Sequence, residues 1–320
     1  MTEVGARDGR AVPSPGSASP SGRRRRGSPT SVGAWPVAFI GLLMLGVAVF
    51  YYWPIVKNLI TSFQQTNAFG GDPQFVGFDN YTALFQDPGL GRAIVNTVLY
   101  TVILLLGVPL SVAISAMIEL KGLRFKGLYR TVYFMPYLAM PMAVAQVWKI
   151  LYNGDFGLIN QVLKGLRVSN PPYWLVTPWL ALISVSVFGL WCAIGFNVII
   201  LSSGLKSIPV ELYEAASIDG ATGLKQFRWI TVPLLTPSIF FLTIMTTIGG
   251  FQLFDAIYAM ISRGNPVEPQ TRSLVRLFYQ QAFVDSNQGG GAAIAIVILA
   301  MVAVVTVIQF IGQKKWVNYV

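Results

Sequence analysis

Six segments of this chain are apolar over about the length a helix needs to cross a bilayer, roughly 20 residues. That pattern decides the solvent before any other feature is weighed. The segments cover residues 35–60, 93–118, 130–152, 175–203, 233–260 and 289–312, to within a few residues. The second holds Pro109 and the third Pro136 and Pro141, which membrane helices tolerate because packed neighbours re-satisfy the freed carbonyls. Only 11% of the 320 residues are charged, against about a quarter in a soluble domain. A surface so poor in charge needs lipid as its permanent partner. The expectation is an all-α integral membrane protein with six transmembrane helices.

Residues 1–30 are rich in Gly, Ser, Pro and Arg and include the run Arg23 to Arg26. Without apolar periodicity they cannot contribute to a core, and they read as a disordered basic tail ahead of one transmembrane domain over residues 31–320. The apolar run from Val37 to Val56 is longer than a signal-peptide core of about 7–15 residues, so it reads as an uncleaved first span. With the tail inside, 15 Lys and Arg fall on the inner side and 8 on the outer. That asymmetry follows the positive-inside rule and puts both termini in the cytoplasm.

Several chemistries are excluded early. The chain has no histidine, which removes the commonest general base and metal ligand. Its one cysteine, Cys192, lies in an apolar run and reads as a small buried hydrophobe. No catalytic set and no metal site are expected. Six of the 23 Lys and Arg lie in the first 26 residues, so the net charge of +10 points to membrane lipid at the flanks of spans rather than to nucleic acid. There is no G-x-x-x-x-G-K-[ST] loop, so no nucleotide cofactor is expected on this chain. Two outer segments read as short surface helices. Asp79-Asn80 would cap a helix carrying Tyr81, Leu84 and Phe85, and Phe156, Ile159, Val162, Leu163 and Leu166 repeat at helical spacing.

The inner segment between the fourth and fifth spans differs from the other loops. Pro209 suits the first turn of a helix, with Glu211 and Glu214 near its positive end. Leu212, Ala215 and Ala216 share a face, and Asp219-Gly220 is a stop-and-turn signal. Thr222 would cap a second short helix bearing Leu224 and Phe227, and Pro233 opens the fifth span. Two amphipathic helices with a bend at Gly220 suit insertion into a partner's groove, and equally suit resting on the inner leaflet.

Glu214-Ala215-Ala216, three residues, Gly220, nine residues, then Ile230-Thr231-Val232-Pro233 resembles the EAA motif of bacterial ABC importer permeases, E-A-A-x3-G-x9-I-x-L-P. Val232 stands where leucine is usual. Phe75 to Tyr81 before the second span, Gly127 to Thr131 leading to Pro136, and Ile208-Pro209 resemble the carbohydrate-uptake branch of that family. The resemblance covers residues 35–320. It implies the type I importer permease (MetI-like) fold in a bacterial inner membrane. It also implies a second permease subunit of different sequence, two ATP-binding subunits that carry the ATP and Mg, and an extracellular solute-binding protein. By motif position, Glu214, Ala215, Ala216, Asp219, Gly220, Ile230 and Pro233 would form the element that couples this chain to an ATPase.

Polar groups inside spans are costly and often functional. Asn96, Gln146, Asn197, Gln252 and Asp255, with Tyr258 one turn beyond, are candidates to line a substrate path, and Trp191 is deep enough in the fourth span to face one. Asp255 reads as the only acid within a span. Each of these has a plainer reading as interhelical glue or as a residue at a wet mouth. A secondary transporter would need more intramembrane ion ligands, and a membrane enzyme would need a catalytic set. An ABC permease for an amino acid, peptide or ion differs from the sugar reading only in the flanking motifs.

Overall fold

A computed structural model of the chain describes residues 34–65, 72–120 and 122–318. The basic tail expected over residues 1–30 lies outside the described residues. The chain divides into two units, one ending at Trp53 and one beginning at Pro54, and each is described by itself. In the first unit, α1 (Ala34–Val47) runs into a π turn, Ala48–Tyr52. Its side chains Phe39, Leu42, Leu43 and Phe50 are exposed, which is stable only if the solvent is lipid.

The second unit starts within α2 (Trp53–Thr61). A two-residue antiparallel hairpin follows, β1 (Gln64–Gln65) with β2 (Gln74–Phe75), pairing Gln64 with Phe75. Then come α3 (Asp79–Gln86) and the long α4 (Pro88–Glu119). The Asp79-Asn80 cap does not form as expected: Phe78 takes the N-cap position. Asn80 instead donates its amide to the carbonyls of Ser62 and Gln64, both at 2.9 Å, tying α3 to the hairpin. Next are α5 (Lys126–Leu138), α6 (Pro141–Leu151), the surface helix α7 (Leu158–Gly165) and α8 (Leu180–Lys206). The inner loop holds α9 (Val210–Ile218), then α10 (Leu224–Gln226), a π turn at Phe227–Thr231 and α11 (Val232–Leu234). The chain closes with α12 (Thr236–Phe251), the short α13 (Asp255–Met260), α14 (Glu268–Thr271) and α15 (Leu274–Tyr279), and α16 (Gln288–Gln313).

Among the described residues, four helical stretches are long and apolar enough to span: Ala38–Thr61, Pro88–Glu119, Leu180–Lys206 and Gln288–Gln313. Two bent pairs raise the number to six if each pair is one span. The segment expected as a single helix over 130–152 is broken, with α5 and α6 meeting at 97°. Pro141 drives the break, because a proline pushes the residue before it out of the helical region, and Met140 sits at ψ 116. The fifth segment is bent by 65° between Leu224–Leu234 and Thr236–Phe251, around Pro233 and Pro237. It also ends at Phe251, short of the expected residue 260.

The core is built on α4, which packs along α8 and α12, while α5 lies on α8 and α13 on α6. Small residues permit the close approaches. A Cβ on Gly250 of α12 would stand 2.5 Å from the Thr101 hydroxyl of α4, and one on Gly195 of α8 would strike the Tyr133 carbonyl of α5. Buried hydroxyls bond back to carbonyls one turn earlier, as Thr101 does to Thr97 at 2.7 Å and Ser186 to Leu182 at 2.7 Å. These hydroxyls are thereby buried in the packing with their donors satisfied.

Candidate functional site

Two regions gather the polar residues that the packing does not consume. The first is the inner loop. Helix α9 begins behind Pro209 and ends on a left-handed residue, Gly220, at φ 74. The Ala221 N–H donates to the Ala216 carbonyl at 2.8 Å and the Gly220 N–H to Ser217 at 3.1 Å. These two bonds satisfy carbonyls that a helix end leaves open, in the Schellman arrangement. The chain then turns at Gly223, φ 43, which takes the N-cap position of α10 in place of Thr222.

Gln226 ties the two short helices together. Its amide donates to the Tyr213 carbonyl at 3.2 Å, the Ser217 hydroxyl at 2.9 Å and the Ala221 carbonyl at 2.9 Å. The Tyr213 and Thr231 hydroxyls meet at 3.0 Å, linking α9 to the π turn that leads into the bent fifth segment. Neither Gln226 nor Tyr213 stands out in the sequence, since each is an ordinary residue between the motif positions. Outward from this frame, Glu211, Leu212, Glu214, Ala215, Ile218 and Asp219 are exposed, while Ala216, Ile230 and Pro233 are half-buried. The exposed face joins two glutamates to apolar side chains, with Leu224 and Trp229 also bare close by in the chain.

The second region is a cleft of about 400 Å³ between α4, α5, α8 and the end of α12. Asn197, Gln252 and Asp255 line it, together with the aromatic faces of Tyr137, Phe196 and Phe254. Asn197 is 2% exposed and its side-chain NH2 has no acceptor, so a buried donor is available to whatever occupies the cleft. Tyr137 stacks on Phe196 with centroids 5.1 Å apart, giving the wall a flat apolar surface. Asp255 lies beyond the continuous helix of the fifth segment, which the sequence extended to residue 260. The fifth segment stops at Phe251, and Asp255 opens α13, where a carboxylate at the positive end of a helix is favourable. Just past the stop, the Ser273 hydroxyl donates to the Leu253 carbonyl at 2.5 Å and accepts the Arg276 N–H at 3.1 Å.

The remaining candidates fall elsewhere. Gln146 donates to the Ala259 carbonyl at 3.1 Å, joining α6 to α13. Asn96 donates to the Gln270 and Arg272 carbonyls, both at 2.9 Å. Trp191 lies against Trp148, centroids 5.4 Å apart, and does not line the cleft. Tyr258 stacks on Phe254 at 5.2 Å and accepts the Arg276 guanidinium over its ring at 4.8 Å. It therefore supports a cleft-lining residue from behind.

That guanidinium belongs to a charge cluster which sequence reasoning did not single out. Arg276 is 1% exposed and pairs with Glu268 at 3.4 Å, while Arg272 pairs with the same carboxylate at 2.9 Å. Burial alone would raise the Glu268 carboxyl, but the hydrogen bonds and charge of Arg272, with Arg276 behind it, hold it below its ordinary value.

Residues 91–317 match the family described as the binding-protein-dependent transport system inner membrane component. The sn-glycerol-3-phosphate transport system permease protein UgpA of Agrobacterium fabrum is 32% identical over 89% of this chain and 96% of its own. The arabinooligosaccharides transport system permease protein AraP of Bacillus subtilis is 33% identical over 86% of this chain and 87% of its own. In fold, the chain resembles one from a bacterial ABC transporter involved in the import of the acidic polysaccharide alginate. The TM-score is 0.77 at 21% identity, covering 89% of this chain and 97% of that one.

Proposed function

This chain belongs to the inner membrane components of binding-protein-dependent transport systems, and on that premise we propose that it forms one side of the pathway of an ATP-driven sugar or oligosaccharide importer. It is a transport subunit and not an enzyme. The observation that carries the sugar reading is the cleft. A buried amide donor at Asn197, an amide at Gln252 and a carboxylate at Asp255 stand among aromatic faces. Sugars present hydroxyls that donate and accept, and apolar ring faces that stack, so this mixture of groups suits them. Asp255 is the sole charged group among the described residues lining the cleft. A neutral sugar is therefore favoured over a phosphorylated or acidic one, which a carboxylate would repel.

Coupling is assigned to the loop. Glu214, Ala215, Ala216 and Asp219 on α9, the Gly220 turn, and Ile230 and Pro233 beyond it form the element that docks on an ATP-binding subunit. The partner carries the ATP and Mg, and this chain carries none. The exposed acidic and apolar face of α9, tied through Tyr213 and Thr231 to the fifth segment, supports that role. Each bent pair counts as one span, giving six, with both termini in the cytoplasm. A second permease of different sequence completes the pathway, two ATP-binding subunits sit beneath it, and an extracellular solute-binding protein delivers the sugar.

The test is uptake into proteoliposomes that hold this chain with its permease partner and ATP-binding subunits, fed by the binding protein loaded with radiolabelled sugar. Uptake should need ATP on the loop side. Uptake indifferent to ATP, or a binding protein that retains an amino acid and no sugar, would sink the reading.

A further inference from the structure

A second cavity, of about 560 Å³, lies between α5 and α8 and belongs to neither region above. Its lining is polar at one end and apolar at the other, and the order along both helices agrees. On α5, Arg130 is followed one and two turns later by Phe134 and Leu138. On α8, Ile199 is followed by Ser202, Ser203 and Lys206 at spacings that keep all four on one face. The basic groups thus sit where α8 leaves the spanning region, and the apolar groups sit deeper.

The polar end has unspent capacity. Ser202 is 4% exposed and its hydroxyl has no partner. The Arg130 Nε is buried without an acceptor, although its Nη2 pairs with Glu119. Lys126 donates to the Glu119 carbonyl at 2.9 Å and so leaves that carboxylate to Arg130. Among the described residues, no carboxylate lies within 4.0 Å of Lys206. Buried donors without acceptors are costly, and here two of them lie beside an unpaired cation.

We infer that this cavity binds the phosphate headgroup of an anionic glycerophospholipid. Arg130, Ser202 and Lys206 contact the phosphate, and one acyl chain lies along Phe134, Leu138 and Ile199. A guanidinium, a hydroxyl and an ammonium together satisfy phosphate oxygens, and basic pockets between helices at the inner face recruit anionic lipid. The apolar half of the cavity is what distinguishes lipid from a free phosphate. The site also touches both functional regions. Phe134 stacks on Tyr137, which lines the cleft, at 5.6 Å, and Lys206 ends the helix from which the coupling loop departs. Placement in the inner leaflet rests on the orientation proposed above. Lipid binding in detergent does not depend on it, so the two can fail separately.

The experiment is native mass spectrometry of the full chain in detergent, titrated with dioleoylphosphatidylglycerol or dioleoylphosphatidylcholine. Phosphatidylglycerol should bind about tenfold more tightly. The pair Arg130→Gln and Lys206→Gln should abolish that preference, and Ser203→Phe, which fills the cavity while keeping the Glu119 pair, should do the same. Lys225→Gln with Arg228→Gln, an equal charge loss on the same loop side, should leave it intact. Equal binding of both lipids, or an equal loss in the Lys225 and Arg228 variant, overturns the proposal. Displacement of phosphatidylglycerol by equimolar sn-glycerol 3-phosphate marks a soluble-phosphate site and overturns the lipid assignment.

Discussion

The Tyr213 and Thr231 hydroxyls meet at 3.0 Å, so the exposed helix of the inner loop is tied directly to the segment that enters the membrane next. On the coupling role proposed above, a push on α9 would be delivered to the fifth segment through this bond and through the three donations of Gln226. Tyr213→Phe with Gln226→Ala should therefore uncouple rather than disassemble. Each lost bond weakens the link by about 1 kcal/mol. Sugar transported per ATP hydrolysed should fall severalfold while the ATP-binding subunit still co-purifies. An unchanged ratio would remove the link from the mechanism.

Gly220 tests the turn alone. Its φ of 74 is the left-handed region, and a Cβ there would meet nothing within 4 Å. Gly220→Ala thus imposes backbone strain of about 1 kcal/mol without a clash. Association with the ATP-binding subunit should weaken, and Gly220→Asn should be milder, because asparagine tolerates this conformation better. Pull-down yields for the two variants give the order, and equal yields would speak against a role for the bend.

Asn197 separates binding from architecture. Its NH2 has no partner, so Asn197→Leu removes an uncompensated buried donor and should leave the melting temperature level or slightly higher. Sugar uptake should nonetheless fall at least tenfold. A loss of stability with uptake preserved would mean that the residue is structural.

The Glu268 cluster predicts a pH dependence. Glu268→Gln leaves the buried Arg276 without its countercharge and should cost about 3 kcal/mol. Because the carboxyl is held below its ordinary 4.5, the folded state favours the ionised form. The stabilisation is therefore complete above the ordinary value and is lost as the pH falls through the lowered one. The melting-temperature gap between wild type and Glu268→Gln should stay level between about pH 7 and about pH 5 and close below about pH 4. A gap that widens on acidification would reverse the assignment.

Topology can be read with single thiols. In a Cys192→Ala background, Ser207→Cys should react with an impermeant maleimide only from the inner face, and Ser169→Cys only from the outer. Both positions are exposed. The reverse pattern would invert the orientation.

Much of this protein was legible in its residues. The apolar runs mark the spanning segments because a bilayer asks only for length and hydropathy, and the Asp219-Gly220 signal marks the bend because that turn is local. The misplacements have one cause. Hydropathy continues through Ala256, Ile257 and Ala259, so Asp255 read as intramembrane. Just past the helix end at Phe251, the Leu253 carbonyl is taken by the hydroxyl of Ser273, twenty residues away in sequence. Pro141 announced a disturbance in the third segment, but the size of the bend, 97°, belongs to how α5 lies on α8 and α6 on α13.

The amino-acid sequence by itself determined the solvent, the apolar runs and the bend of the inner loop at Gly220, because each follows from signals within a few turns of chain. Only the tertiary structure decided which polar side chains remain free. Asn96 and Gln146 look like Asn197 and Gln252 in sequence. The first two are consumed by carbonyls more than a hundred residues away, and Asn197 keeps its donor for the cleft. Whether a buried amide is glue or a site depends on which distant acceptor packing brings within about 3 Å of it, and no local pattern records that.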